Sequence, residues 1–337
     1  MLKVLVIGTS NAIYKDGYVG GIRDHSSVLS VDRYAVGASP SVIIPYIGLS
    51  IDFSIYDIVI FDTAINDRNY YKYSSIRKDQ IREFIEWGVD RCKRSNTAAC
   101  LLLMPSRKAF NKETISGLIY HKIATENKLT ILDGFQYVRD LCKESERNIN
   151  ELFIDDFHLM KPVAYNLGKE VIDLFLSSDH GSTKSNSFIA PPIFYRMDVC
   201  DFVTSTIRRT SSVTEAEFFR LEGAERLRLP VSPGDIPIGV AFNAPKSHGS
   251  LNISGVYPNI VKSLTTAYSN SSKDFQLMIM PLVSNAEAEA GFIELSISAL
   301  DVKNTEGSRF EAVSLKADRL AASLEICSVV MRAGRGA

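Results

Sequence analysis

In Leu2-Lys3-Val4-Leu5-Val6-Ile7-Gly8-Thr9-Ser10-Asn11 the apolar run Leu2–Ile7 leads straight into Gly8, Thr9 and a serine. Six residues with a single charge among them fit a short strand buried on both faces, the kind found at the centre of a parallel sheet. The same reading applies to Ile58–Phe61, Ala98–Met104 and Leu129–Leu132. Between these runs Ser75–Lys93 carries Ile76, Ile81, Phe84, Ile85 and Val89 at helical spacing. Lys112–Asn127 and Tyr165–Leu176 also read as helices. Strand and helix in repetition specify a parallel sheet covered by helices on both faces. Ligands in such sheets sit beyond the carboxyl ends of the strands. Ser10, Asn66 and Ser106 each follow a predicted strand, so they are expected on one edge.

Ser177 to Pro192 changes character. It is small, polar and closed by Pro191-Pro192, as expected of a linker. Beyond it the helical period is lost. Phe202–Ile207, Ile236–Phe242, Phe275–Met280, Phe292–Leu300 and Leu324–Val330 read as strands between Gly, Pro, Asn and Ser clusters. The expected organisation is an α/β domain over 1–178, a linker over 179–192 and an all-β sandwich or jelly roll over 193–337.

The chain has 337 residues, is 45% apolar and 23% charged, and carries a net charge of −1. That balance gives no general attraction for nucleic acid. No stretch approaches the ~20 apolar residues of a membrane span. The apolar start is too short for a signal peptide and ends on the candidate nucleophile, so a cytoplasmic location is expected. Cys92, Cys100, Cys142, Cys200 and Cys327 are scattered and odd in number, which fits buried reduced thiols. Asp62, Asp67, Asp155 and Asp156 lack metal-ligand spacing. Gly17-Tyr18-Val19-Gly20-Gly21 lacks the Lys-Ser/Thr of a phosphate loop.

Asp155-Asp156-Phe157-His158 supplies the sharpest chemical signal. An aspartate three residues before a histidine can hold one imidazole nitrogen and leave the other free to take a serine proton. Ser10 alone is most simply a helix cap, Gly37 a turn glycine and Asn66 a loop residue. Together they provide a nucleophile, a backbone N–H that can approach a reacting oxygen, and an amide donor for the oxyanion. His25, His121, His180 and His248 are weaker as bases, lying in a polar loop, a helix, the linker and a turn.

Gly8-Thr9-Ser10-Asn11, Gly37, Ala64-Ile65-Asn66-Asp67 and Asp155-x-x-His158 resemble, in order and position, the four blocks of the SGNH (GDSL-type) hydrolase superfamily. The resemblance covers the first 178 residues. It implies a flavodoxin-like three-layer sandwich, Ser10 as nucleophile, His158 as base, Asp155 as its orienting carboxylate, and Ser10, Gly37 and Asn66 as the oxyanion hole. Thr9 stands where the family usually has aspartate, and Ala64 where it usually has glycine. Neither change removes a catalytic atom, and both mark a divergent branch.

The expected activity is a serine esterase that removes O-acyl groups, foremost O-acetyl, from a carbohydrate through an acyl-enzyme. Phe194, Tyr195, Tyr257 and Tyr268 are candidate sugar contacts in the second domain. An O-acetyltransferase using acetyl-CoA as co-substrate is the first alternative, and a catalytically silent glycan-binding module the second. No resident cofactor or metal is expected. The partner is an acylated small molecule or glycan, with no nucleic acid and no membrane span.

Overall fold

A computed structural model describes residues 1–178, 191–211, 214–269, 271–298, 304–307 and 322–334. The chain divides into two compact units, Met1–Arg68 with Lys78–Pro191, and Asn69–Arg77 with Pro192–Ala337. Most of the expected linker, residues 179–190, lies outside the described residues.

The first unit is built on a parallel sheet of β1 (Leu2–Gly8), β2 (Val28–Ala35), β3 (Ile58–Asp62), β4 (Ala98–Leu103) and β5 (Thr130–Asp133), in the order β2-β1-β3-β4-β5. This is the flavodoxin-like order. Its helices are α1 (Ser10–Ile13), α2 (Tyr18–Arg23), α3 (Ile43–Gly48), the first half of α4 (Ala64–Lys72), α5 (Lys78–Arg94), α6 (Ile115–Asn127), α7 (Gly134–Ser145) and α8 (Lys161–Ser177). β1 and β3 are central and buried through almost their whole length, hence their unbroken apolar runs. β2 is an edge strand that alternates exposed and half-buried residues, and Asp32 and Arg33 within it mask it in the sequence. α5 and α8 bury one face each, Ile81, Phe84, Ile85 and Val89 on α5 and Leu167, Val171, Ile172 and Phe175 on α8.

Two glycines allow α2 and α8 to touch. A Cβ at Gly21 would lie 1.8 Å from the Tyr165 carbonyl oxygen, and one at Gly168 would lie 1.9 Å from that of Tyr18. The glycine-rich stretch at Gly17–Gly21 is therefore in part a helix-packing device.

The second unit contains β6 (Phe194–Asp198), β7 (Ile207–Thr210), β8 (Glu215–Glu222), β9 (Arg226–Pro230), β10 (Ile236–Asn243) and β11 (Ser250–Ser254). Next come β12 (Val256–Tyr257), β13 (Ile260–Ser263), β14 (Leu277–Pro281), β15 (Glu287–Ala288), β16 (Phe292–Ser298) and β17 (Ser323–Arg332). One antiparallel sheet runs β14-β10-β17-β8-β7, with β6 beside the second half of β17. Another runs β13-β11-β16-β9. The all-β expectation holds. The expected strand Phe202–Ile207 does not: Val199–Phe202 is a 3₁₀ turn, and the strand begins at Ile207. Three of the five cysteines, Cys92, Cys100 and Cys327, are buried; Cys142 and Cys200 are partly exposed, and all five are free thiols.

Candidate active site

β1 ends at Gly8, which pairs in register with Ala35 of β2 and Asp62 of β3. Ser10, Gly37 and Asn66 follow these three strand ends. Parallel pairing with this register delivers all three to the same edge of the sheet.

Ser10 begins α1, a single turn directly after β1. Its Oγ lies 2.9 Å from Nε2 of His158. His158 Nδ1 lies 2.8 Å from Oδ2 and 3.0 Å from Oδ1 of Asp155. An ionised carboxylate only accepts hydrogen bonds, so Nδ1 carries the proton and Nε2 presents its lone pair to the serine hydroxyl. The pieces expected from Ser10, His158 and Asp155 thus stand in hydrogen-bonding sequence.

The local chain explains why Asp155 and not Asp156 takes this place. Asp155 Oδ1 also accepts from the amides of Phe157, at 2.7 Å, and His158, at 2.9 Å, folding the turn around its own carboxylate. Burial pushes the Asp155 pKa up, but the Phe157 amide and the ring and amide of His158 outweigh it and hold the group below the usual carboxylate range. Asp156 points to Arg107 and Lys108, each at 2.9 Å, which also hold it ionised. The loop is pinned at its base by the Phe153–Leu159 bridge and by buried Leu159. Asn11 Nδ2 donates to the Phe157 carbonyl at 3.3 Å, tying the residue after the nucleophile to the histidine loop.

Asn66 lies in the first turn of α4 and is buried. Taken alone, an Asn-Asp pair after a strand reads as a loop; here a helix begins at Ala64. A Cβ at Gly37 would meet only the end of Ile13, at 3.6 Å, so the protein itself does not demand a glycine there. The left-handed residue of this turn is its neighbour Ala38, with φ of 60°.

Tyr14, which the sequence did not flag, packs edge-to-face with His158, centroids 5.3 Å apart. Arg33 Nη1 donates to the carbonyls of Ala12 and Ile13, at 3.1 and 2.9 Å, and holds the end of α1. An exposed tyrosine and an edge-strand arginine carry no motif by which a sequence reading finds them.

The rival histidines stand elsewhere. His25 pairs with Asp173 at 3.0 Å and caps the Ser27 amide. His121 pairs with Asp133 at 3.2 Å on the wall of a 490 Å³ cavity that also includes Phe110, Phe135 and Arg139. His248 bridges to Ser323 in the second unit, and His180 lies outside the described residues. Among the described residues no cluster of His, Cys, Asp and Glu has the makings of a metal site, and no helix is long and apolar enough to cross a membrane.

No family model and no curated protein matches the sequence. Solved structures do. A two-domain esterase active on acetylated mannans matches with a TM-score of 0.66 at 13% identity, over 99% of this chain and 92% of that one. The same esterase co-crystallised with mannopentaose matches at 0.65 and 12%, over 100% and 92%. The shared architecture is an α/β unit followed by antiparallel sheets, and it spans both chains almost entirely.

Proposed function

We propose that this chain is a serine esterase of the SGNH type that removes O-acetyl groups from a carbohydrate. The observation that carries the proposal is the hydrogen-bonded series Ser10–His158–Asp155 at the edge of a 2-1-3-4-5 sheet. His158 takes the Ser10 proton as Oγ attacks the acyl carbon, and returns it to the departing sugar oxygen. Water, activated by the same imidazole, then releases the acyl group. The Ser10 and Gly37 amides and the Asn66 side chain carry the oxyanion in both steps. Asp155 keeps the tautomer and stabilises the imidazolium.

The substrate class draws support from the whole-chain likeness to an esterase active on acetylated mannans. In the second unit Phe194 is buried and Tyr195 is committed to Asp235, whereas Tyr257 is 74% exposed and free to stack on a sugar ring. The test is to incubate wild type and Ser10→Ala with acetylated mannan, acetylated xylan and p-nitrophenyl acetate and to quantify acetate. Acetate from at least one glycan with wild type and none above background with Ser10→Ala supports the reading. Transfer of label from acetyl-CoA to a deacetylated glycan, without acetate release, would replace it with an acetyltransferase.

A further inference from the structure

Beneath the Ser10 edge lie two aspartates the mechanism above does not use. Asp62, the last residue of β3, is 1% exposed, and Asp67, in the first turn of α4, is 0% exposed. Their hydrogen-bond partners are hydroxyls and backbone amides. Asp62 accepts from the Tyr18 hydroxyl at 3.0 Å, and the backbone amide of Thr9, the residue before the nucleophile, favours its ionised form. Gly8 leaves room for this approach: a Cβ there would lie 3.0 Å from the Tyr18 hydroxyl oxygen. Asp67 accepts from the Ser41 amide at 2.7 Å and from the Thr63 hydroxyl at 2.8 Å. That hydroxyl accepts in turn from Tyr120 at 2.7 Å, and the Tyr120 oxygen accepts from the Thr63 amide at 3.2 Å.

We propose that Asp62 and Asp67 are positioning residues for the acyl-transfer step, a buried brace that fixes the three oxyanion donors relative to one another. The inference rests on the reading of Ser10 as nucleophile. Each donor segment is tied to the brace. Thr9, whose amide favours the Asp62 charge, leads into Ser10, Ser41 donates to Asp67 and closes the loop that starts at Gly37, and Asp67 adjoins Asn66. Ala38, between Gly37 and Ser41, holds a left-handed conformation that costs energy without a glycine. A loop in that state needs an anchor, and the Ser41–Asp67 hydrogen bond supplies one.

The energetics point the same way. Burial raises Asp62 to about 7, with the neighbouring Asp67 charge adding to the rise, and burial raises Asp67 to about 6. The titratable groups around them are Tyr18 on α2, Tyr120 on α6 and each other, with Arg33 of β2 acting on Tyr18. Two carboxyls without a guanidinium or ammonium partner destabilise a core that apolar residues would fill at lower cost. What they contribute instead is direction: hydrogen bonds from Tyr18 on α2, from Ser41 and from Thr63 converge on fixed oxygen atoms.

The experiment uses the full chain. Asp62→Ala, Asp67→Ala and Asp67→Asn are compared with wild type on p-nitrophenyl acetate, with active serines counted by a fluorophosphonate. Tyr18→Phe and Thr63→Val, which each remove one hydroxyl and little volume, decide the matter if the alanine variants do not fold. The alanine variants are expected to lose about 10²-fold in kcat per titrated serine, with KM within about twofold. Asp67→Asn should recover most of the loss, since its amide oxygen can still accept from Ser41. The hydroxyl deletions should lose about 10-fold in kcat. Wild-type kcat per titrated serine in the folded variants, whatever their melting temperature, would overturn the proposal. Ser10→Ala, run alongside, separates the two readings. Wild-type turnover by that variant removes the nucleophile assignment and the brace with it, whereas a dead Ser10→Ala with active brace variants removes the brace alone.

Discussion

On the proposed mechanism Asn66 binds charge only in the transition state, and such a side chain leaves a particular kinetic signature. Its amide is buried in the first turn of α4, so it is held in place before substrate arrives. Asn66→Ala is expected to lower kcat by about 10²–10³-fold with KM nearly unchanged. Steady-state kinetics on an aryl acetate would show this; a raised KM with normal kcat would make Asn66 a substrate-binding residue instead. At this scale the sequence pointed to Ser10, His158 and Asp155, which stand in one hydrogen-bonded series, because the proposed acyl chemistry restricts residue type. Serine, asparagine and an Asp-x-x-His turn have few substitutes, and each followed a strand or closed the domain. Asp62 and Asp67 carried no such signal. A buried aspartate reads in sequence like a surface one, and Asp67 stands in the Asn66 block only as the neighbour of the amide donor.

Elements place these residues through backbone register and helix contact. The α2–α8 contact is the tightest of them, with Gly21 and Gly168 each against the other helix's carbonyl. Gly168→Ala forces a Cβ into backbone, so the helices must separate. A cost of about 3 kcal/mol, at the upper end of ordinary overpacking, is expected in urea unfolding. Because α2 carries Tyr18, whose hydroxyl meets Asp62, kcat should fall as well. A variant as stable as wild type would show that the helices shift freely. Strands with apolar runs were legible wherever they lie in a sheet, edge strands β5 and β14 included, and strands interrupted by charges were not. β2 hides behind Asp32 and Arg33, and β8 and β9 behind alternating charges such as Glu215, Glu217, Arg226 and Arg228. Phe202-Val203 looked like the start of a strand because two adjacent apolar residues cannot distinguish a strand from the end of a 3₁₀ turn.

Across the whole molecule, buried carboxyls give the two units opposite responses to pH. In the second unit Glu325 is fully buried and accepts from Arg209 at 2.7 Å, Arg220 at 2.6 Å and Asn243 at 2.7 Å. Burial opposes its ionisation, yet these donors hold its pKa below the ordinary glutamate value. Its contribution is therefore present above that ordinary value and is lost as pH falls through the lowered one. Asp62 and Asp67, raised to about 7 and about 6, behave in the reverse sense. The folded chain holds their protons longer than the unfolded chain, so stability declines as pH rises from about 4 through 7. Denaturation monitored from pH 3 to 8 should show both slopes. Glu325→Gln should flatten the acid limb and cost about 3 kcal/mol at neutral pH, the low end for a broken buried pair because both arginines are partly exposed. Asp62→Asn should flatten the neutral limb. An unchanged profile in either variant would contradict the assignment for that group.

The central claim is that Ser10 carries the acyl group, and intact-protein mass spectrometry after rapid acid quench tests it most directly. During turnover of p-nitrophenyl acetate, a variant slow in deacylation or a short mixing time should show the chain heavier by one acetyl group. Peptide mapping should place that group on the Ser10 hydroxyl, and Ser10→Ala should show none. Acetyl found on another residue, or turnover by Ser10→Ala at the wild-type rate, would contradict the account.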